Sequence, residues 1–162
     1  YKDGNKLNDT HEESAIAFAN FVHSYCSSAI VLQHVDIDTT HPNSVVTYLF
    51  HHSIELYLKA YLMSQGISAQ KLKSYGHKIG KLSPKASALG LSFSEFDDEI
   101  FEFMASSDTV ISARYIRLGH HKRFPPDILQ ITCKKLHDQV IKKVYDQAGI
   151  DRRPSLSIHL SN

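Results

Sequence analysis

Apolar residues recur along most of this chain at three- and four-residue steps, the period of an amphipathic helix. Ala15, Ala19, Val22, Cys26, Ala29 and Ile30 predict a helix from about residue 12 to about residue 33, opened by the Thr10-x-x-Glu13 capping box. The stretch 45–63, VVTYLFHHSIELYLKAYLM, is apolar nearly all round, the pattern of a buried central helix. Its few polar members, His51, His52, Ser53, Glu55 and Lys59, lie close together. Glu55 is four residues from His51 and from Lys59 and three from His52, so these side chains share one face. Asn43 is a candidate cap for this helix and Gly66 its terminator.

Residues 67–82 are polar and Lys-rich and read as a loop with a helical turn over His77–Leu82. Ser83-Pro84 then opens a short helix ending at Gly90, with Pro84 at its first position. Ser94 caps the next helix with Asp97 three residues on, and Phe96, Ile100, Phe103 and Met104 share a face of it. Val110–Leu118 reads as extended or irregular, a helix closed by Gly119 being the alternative. Pro125-Pro126-Asp127 starts a last long helix whose stripe is Leu129, Cys133, Leu136 and Val140 and whose stop is Gly149. The tail 155–161 alternates with the strand period and is either a lone strand or a disordered end. No repeat or linker divides the chain, so residues 1–162 form one mainly α-helical domain, with its core over 12–148 and a tail from 149. Leu49, Ile54, Leu58 and Leu62 are expected at the centre, packed by Val22, Cys26, Phe103, Leu136 and Val140.

The 162 residues carry a formal net charge of +1, so no whole-molecule field demands nucleic acid or an anionic membrane. The charges are unevenly spread. No acid lies between Glu55 and Glu95, while six lysines do; an acidic block follows from Glu95 to Asp108. From Thr109 to Pro126 there is again no acid, but Arg114, Arg117, Lys122 and Arg123 occur. These runs are either solvated faces or, around Arg114–Arg123, a local anion site. Cys26 and Cys133 fall on apolar helical faces, as buried free thiols of a reducing compartment would. The polar N-terminus is unlike a signal peptide, and Lys59 splits the best candidate for a bilayer span, so a soluble, cytoplasmic protein without a membrane partner is expected.

Two sets of side chains carry possible chemistry. His51, His52 and Glu55 on one helical face are a structural polar stripe, the lining of a cleft, or metal ligands; the spacing is not that of the zinc-protease motif, and no resident metal or cofactor is expected. Glu55 and Lys59 also suit an ordinary ion pair. The second set is Arg114, Tyr115, Arg117, His120 and His121. Arginine is a permanent forked cation for phosphate, and histidine titrates near neutrality. Together they suffice for cleaving RNA without a metal: an imidazole takes the 2′-OH proton and the guanidinium holds the phosphate. The competing reading is a basic surface loop over a buried Tyr115 and Ile116. His77, after Gly76, suits a capping or loop-packing residue.

Three stretches together resemble the HEPN family (higher eukaryotes and prokaryotes nucleotide-binding). Residues 50–60, FHHSIELYLKA, look like the family's second helix; residues 75–82, YGHKIGKL, like the Gly-His segment that follows it; and Ala113-Arg114-Tyr115 like the Ala-Arg-Tyr before its last helix. They come in the family's order and cover roughly residues 12–148. The resemblance implies an antiparallel bundle of four or five helices, often a homodimer. It implies an RNA- or nucleotide-binding domain, in many members a metal-independent endoribonuclease of toxin–antitoxin or defence systems. Others are non-catalytic modules that dimerise or bind a partner, an antitoxin or a small nucleotidyltransferase among them. The nuclease motif places His four to six intervening residues after an Arg, which Arg114 with His120 or His121 satisfies, although Tyr115 stands where the motif usually has a polar residue. Arg117, Lys122 and Arg123 would then bind nucleic acid, and His51, His52, Glu55, Lys59, His77 and Tyr115 would line the cleft.

Overall fold

The computed structural model describes residues 14–107 and 124–156. The expected extended segment 110–118 and the set Arg114, Tyr115, Arg117, His120, His121, Lys122 and Arg123 lie outside the described residues, as does the Thr10–Glu13 box. Within them the protein is all-helical: α1 (Ala15–Gln33), α2 (Pro42–Ser64), α3 (Ala69–Tyr75), α4 (Ile79–Ala88), α5 (Glu95–Ser107) and α6 (Pro126–Gln147). Residues 150–156 take no strand, and the remainder of the alternating tail lies outside the described residues.

The three long helices form the body. Hydrogen-bonded pairs between α1 and α6 run in opposite order, Asn20 with Tyr145 and Gln33 with Asp127, so these helices are antiparallel. Pairs between α2 and α6 run in the same order, Phe50 with Cys133 and Tyr57 with His137, so α2 lies parallel to α6 and antiparallel to α1. α2 touches α1, α3, α4 and α6, the central position its apolar circumference predicts. Phe50, Ile54, Tyr57, Leu58 and Leu62 of α2 are fully buried, and Val22, Cys26, Leu129, Cys133, Leu136 and Val140 meet them from α1 and α6. Leu49 and Phe103, expected in the core, are half-buried, Leu49 packing against its margin.

Local chemistry explains the boundaries. α1 begins at residue 15 rather than 12 because the Ser14 hydroxyl accepts the Ala17 N–H at 3.2 Å. Asn43 does not cap α2; Pro42 takes the first helical position, behind His41. α3 occupies part of the stretch expected as a loop. Ser68 caps it, Leu72 is its single buried residue, and with one apolar anchor it shows no helical period in sequence. Pro84 does not open a helix but lies inside α4, whose Ser83 hydroxyl donates to the Ile79 carbonyl at 3.1 Å. Ser94 and Asp97 do form the expected capping box of α5: Asp97 Oδ2 accepts from the Ser94 N–H at 2.9 Å and from its hydroxyl at 2.6 Å. The other Asp97 oxygen accepts from the buried Thr132 hydroxyl at 2.7 Å, tying α5 to α6. Burial opposes ionisation of Asp97, but these bonds and Lys135 outweigh it and hold the carboxyl below its ordinary range.

Against the expectation of no membrane-length run, α1 is long and apolar enough by composition to cross a bilayer. It packs instead through Ala19, Val22, Cys26, Ala29 and Ile30, leaving Phe21 and Val31 exposed.

Candidate functional site at Glu55

A carboxylate inside an apolar helix must find cations or donors, since stripping it of water without them costs several kcal/mol. Glu55 is 1 % exposed and has two such partners. One is Lys59, a turn along α2, whose Nζ lies 2.6 Å from Oε1. The other is His77, 22 residues away, whose Nδ1 is 2.9 Å from Oε1 and 3.0 Å from Oε2. A carboxylate only accepts, so Nδ1 carries hydrogen and donates. Lys59 is 12 % exposed but His77 55 %, so the ring is anchored at its inner edge and open to solvent at its outer one.

The backbone that puts His77 there depends on Gly76. This residue closes α3 with φ +59° and ψ −132°, a combination that side chains beyond glycine rarely adopt. The chain turns at that point, passes through His77 and enters α4, whose Ile79 and Leu82 anchor it in the core.

The other predicted members of the stripe divide. His51 is 2 % exposed, and neither ring nitrogen has a hydrogen-bond partner among the described residues. Burial alone lowers its pKa to about 4, so the ring is neutral near pH 7. His52 leans toward α1, its ring 4.6 Å from Tyr25 in an edge-on contact and stacked 5.9 Å from Tyr48. Spacing on one helix thus brings Glu55 and Lys59 into contact as expected, while His51 and His52 enter different surroundings. Among the described residues no three histidine, cysteine or acidic side chains converge as metal ligands.

The residue pattern itself carried no sign of the Glu55–His77 contact except the general demand of a buried acid for a partner; only the family resemblance had put both residues in one cleft. A second polar network was also missed. His137 Nε2 lies 3.1 Å from the Pro154 carbonyl, which can only accept, so that nitrogen carries the hydrogen. In the neutral ring Nδ1 then accepts from the Tyr57 hydroxyl at 2.9 Å. The expected buried free thiols are present; Cys26 and Cys133 interact with each other beside Tyr57, and burial pushes the Cys133 thiol up.

Comparison of the chain with protein-family models, curated proteins and solved structures finds no match.

Proposed function

We propose that the protein is a HEPN-like domain that binds RNA or nucleotides and acts as a metal-independent endoribonuclease. One observation supports this reading above the others. Two of the three stretches that resemble the family, 50–60 and 75–82, meet through the hydrogen bonds between Glu55 and His77. Stretches matched separately in sequence are thereby parts of one polar site on a helical bundle. In the proposed reaction the Arg114 guanidinium holds the scissile phosphate, and His120 or His121 takes the 2′-OH proton. Arg117, Lys122 and Arg123 add phosphate contacts, so affinity falls steeply with salt.

The test is incubation of a mixed-sequence single-stranded RNA with the pure protein in EDTA. Cleavage by the wild type, reduced at least about 100-fold in Arg114→Ala, is the expected result. A second reading, a non-catalytic module for a nucleotide or a protein such as an antitoxin or nucleotidyltransferase, draws on Tyr115 in the place of the motif's polar residue. Intact RNA with both proteins, bound more weakly by Arg114→Ala, would favour it.

The active form is proposed to be a homodimer. The apolar groove lined by Phe21 and Tyr25 of α1 and Leu49 of α2, with Phe21 64 % exposed, is surface that a second copy would cover. Light scattering after size exclusion at micromolar concentration should give twice the mass of the 18.3 kDa chain. A monomer mass would remove the dimer from the proposal.

A further inference from the structure

The lysines of this protein differ in what they hold. Lys59, Lys134, Lys135 and Lys142 each pair with a carboxylate, of Glu55, Asp138, Asp97 and Asp146 in turn. Lys78, Lys81 and Lys85 are exposed, and among the described residues their side chains make no ion pair or hydrogen bond. Lys71 is exposed too, its Nζ lying over the Tyr75 ring 5.4 Å from the centroid. We infer that Lys78, Lys81 and Lys85 on α4, with Lys71 on α3, are a phosphate-binding track for single-stranded RNA. The inference rests on the RNA-binding reading above and requires no position for the reacting phosphate.

The fold sets these charges in a row. α4 packs on α2 and α5 and buries Ile79, Leu82, Ser83 and Ala86, so its opposite side faces solvent. Steps of three and four residues put Lys78, Lys81 and Lys85 together on that side. They follow one another at about 4.5 and about 6 Å along the helix axis, close enough for neighbouring lysines to meet neighbouring phosphates of one strand. The turn between the helices brings Tyr75 to the head of the row, where the Lys78 N–H donates to the Tyr75 carbonyl at 3.3 Å. Lys71, laid over Tyr75, adds its charge at that end. Nothing cancels the row. No acid lies between Glu55 and Glu95 in the chain, and Glu55 is buried against Lys59 and His77. The exposed acids of the neighbouring α5, Glu95, Asp98, Glu99 and Glu102, pair with none of these four lysines.

Composition selects the partner. Protein–protein interfaces favour aromatic residues, methionine and arginine and are depleted in lysine. Among the described residues α3 and α4 expose no large apolar side chain, and neither helix contains an arginine. The lack of an apolar side chain to insert also counts against a lipid surface. What remains is a line of compact ammonium charges on flexible stems, which suits a phosphate backbone contacted without regard to base.

The salt dependence of binding counts the contacts, because each phosphate neutralised on a single strand contributes about 0.7 to the slope of log affinity against log salt. The probe is a fluorescent single-stranded 2′-O-methyl RNA of mixed sequence, which cannot be cleaved through its 2′-oxygen. Its anisotropy is titrated with the full chain from about 50 to about 200 mM potassium chloride. One variant combines Lys78→Gln, Lys81→Gln and Lys85→Gln. A second combines Lys134→Gln, Lys142→Gln and Lys143→Gln, removing the same charge from α6. The α4 variant is expected to bind about 10-fold or more weakly at the lowest salt, with a slope shallower by about 2, while the α6 variant keeps the wild-type slope. All six positions are outside the core, and helical circular dichroism checks that both variants fold. An α4 variant with the wild-type slope would overturn the track and leave the RNA-binding reading standing. Equal losses in both variants would overturn it too, by showing an effect of net charge alone. A wild type that binds phosphatidylserine vesicles but not RNA would make the row a lipid surface instead. A wild type that binds neither would overturn the RNA-binding reading itself, and the inference with it.

Discussion

Glu55→Ala should lower the free energy of unfolding by about 3–5 kcal/mol in urea denaturation near neutral pH. The carboxylate is 1 % exposed and serves two partners at once, so its removal takes away more than its own contacts. Lys59 would keep its ammonium at the edge of the core, 12 % exposed, facing a cavity rather than an anion. His77 would lose the group that holds its ring, but it is half in solvent and can rehydrate, so Lys59 carries most of the cost. A companion variant isolates that cost. Glu55→Leu combined with Lys59→Met replaces the pair by apolar groups of similar volume, and such replacements are commonly neutral or stabilising. The double variant should therefore lie within about 1 kcal/mol of the wild type while the single variant does not. A loss below about 1 kcal/mol for Glu55→Ala would mean that Lys59 reaches water freely and that the site is not a closed one.

How far the sequence led to this arrangement depended on the range of each interaction. α2 was legible because its apolar circumference is a property of the helix alone, and α6 because Leu129, Cys133, Leu136 and Val140 repeat at the helical period. The Ser94–Asp97 cap was legible for the same reason, its partners being three residues apart. α3 was not, because a seven-residue helix with Leu72 as its one buried residue has too little amphipathic pattern to register. Pro84 misled because proline is usually a helix opener, whereas here it is accommodated within α4. At the site, the Glu55–Lys59 pair followed from spacing, but the single polar face expected on α2 did not hold, since His51 and His52 enter different surroundings. The Glu55–His77 contact spans 22 residues and two turns of chain, and only tertiary packing creates it. Likewise nothing in the run His51-His52 distinguishes a ring sealed in the core from one packed on Tyr25.

That distinction at His51 has a measurable consequence in pH. Burial lowers its pKa from an ordinary 6.5 to about 4 in the folded protein. Between those values the unfolded chain binds a proton that the folded protein refuses, so stability is full above about pH 6.5 and declines as pH falls toward 4. The whole decline attributable to this ring is about 3 kcal/mol, of which about 2 kcal/mol is reached at pH 5. His51→Leu removes the proton-binding group from both states, and it also removes two buried nitrogens that lack partners among the described residues. Leucine has nearly the volume of histidine, so the variant should match or exceed the wild type near pH 7, by up to about 2 kcal/mol. Its advantage should then grow by about 2 kcal/mol more at pH 5, since its unfolding curve lacks the His51 proton. Burial also lowers the folded values of His23 and His137, but both proteins share those residues, so their contribution cancels in the difference. Urea denaturation of both proteins at the two pH values gives the comparison directly. A constant difference between them across that range would show that His51 does not resist protonation in the fold. A variant less stable than the wild type at pH 7 would mean that the imidazole nitrogens are satisfied. If the variant is instead more stable yet binds RNA less well, the buried ring is retained for the site at the expense of the core, a trade common where function and packing compete for one position.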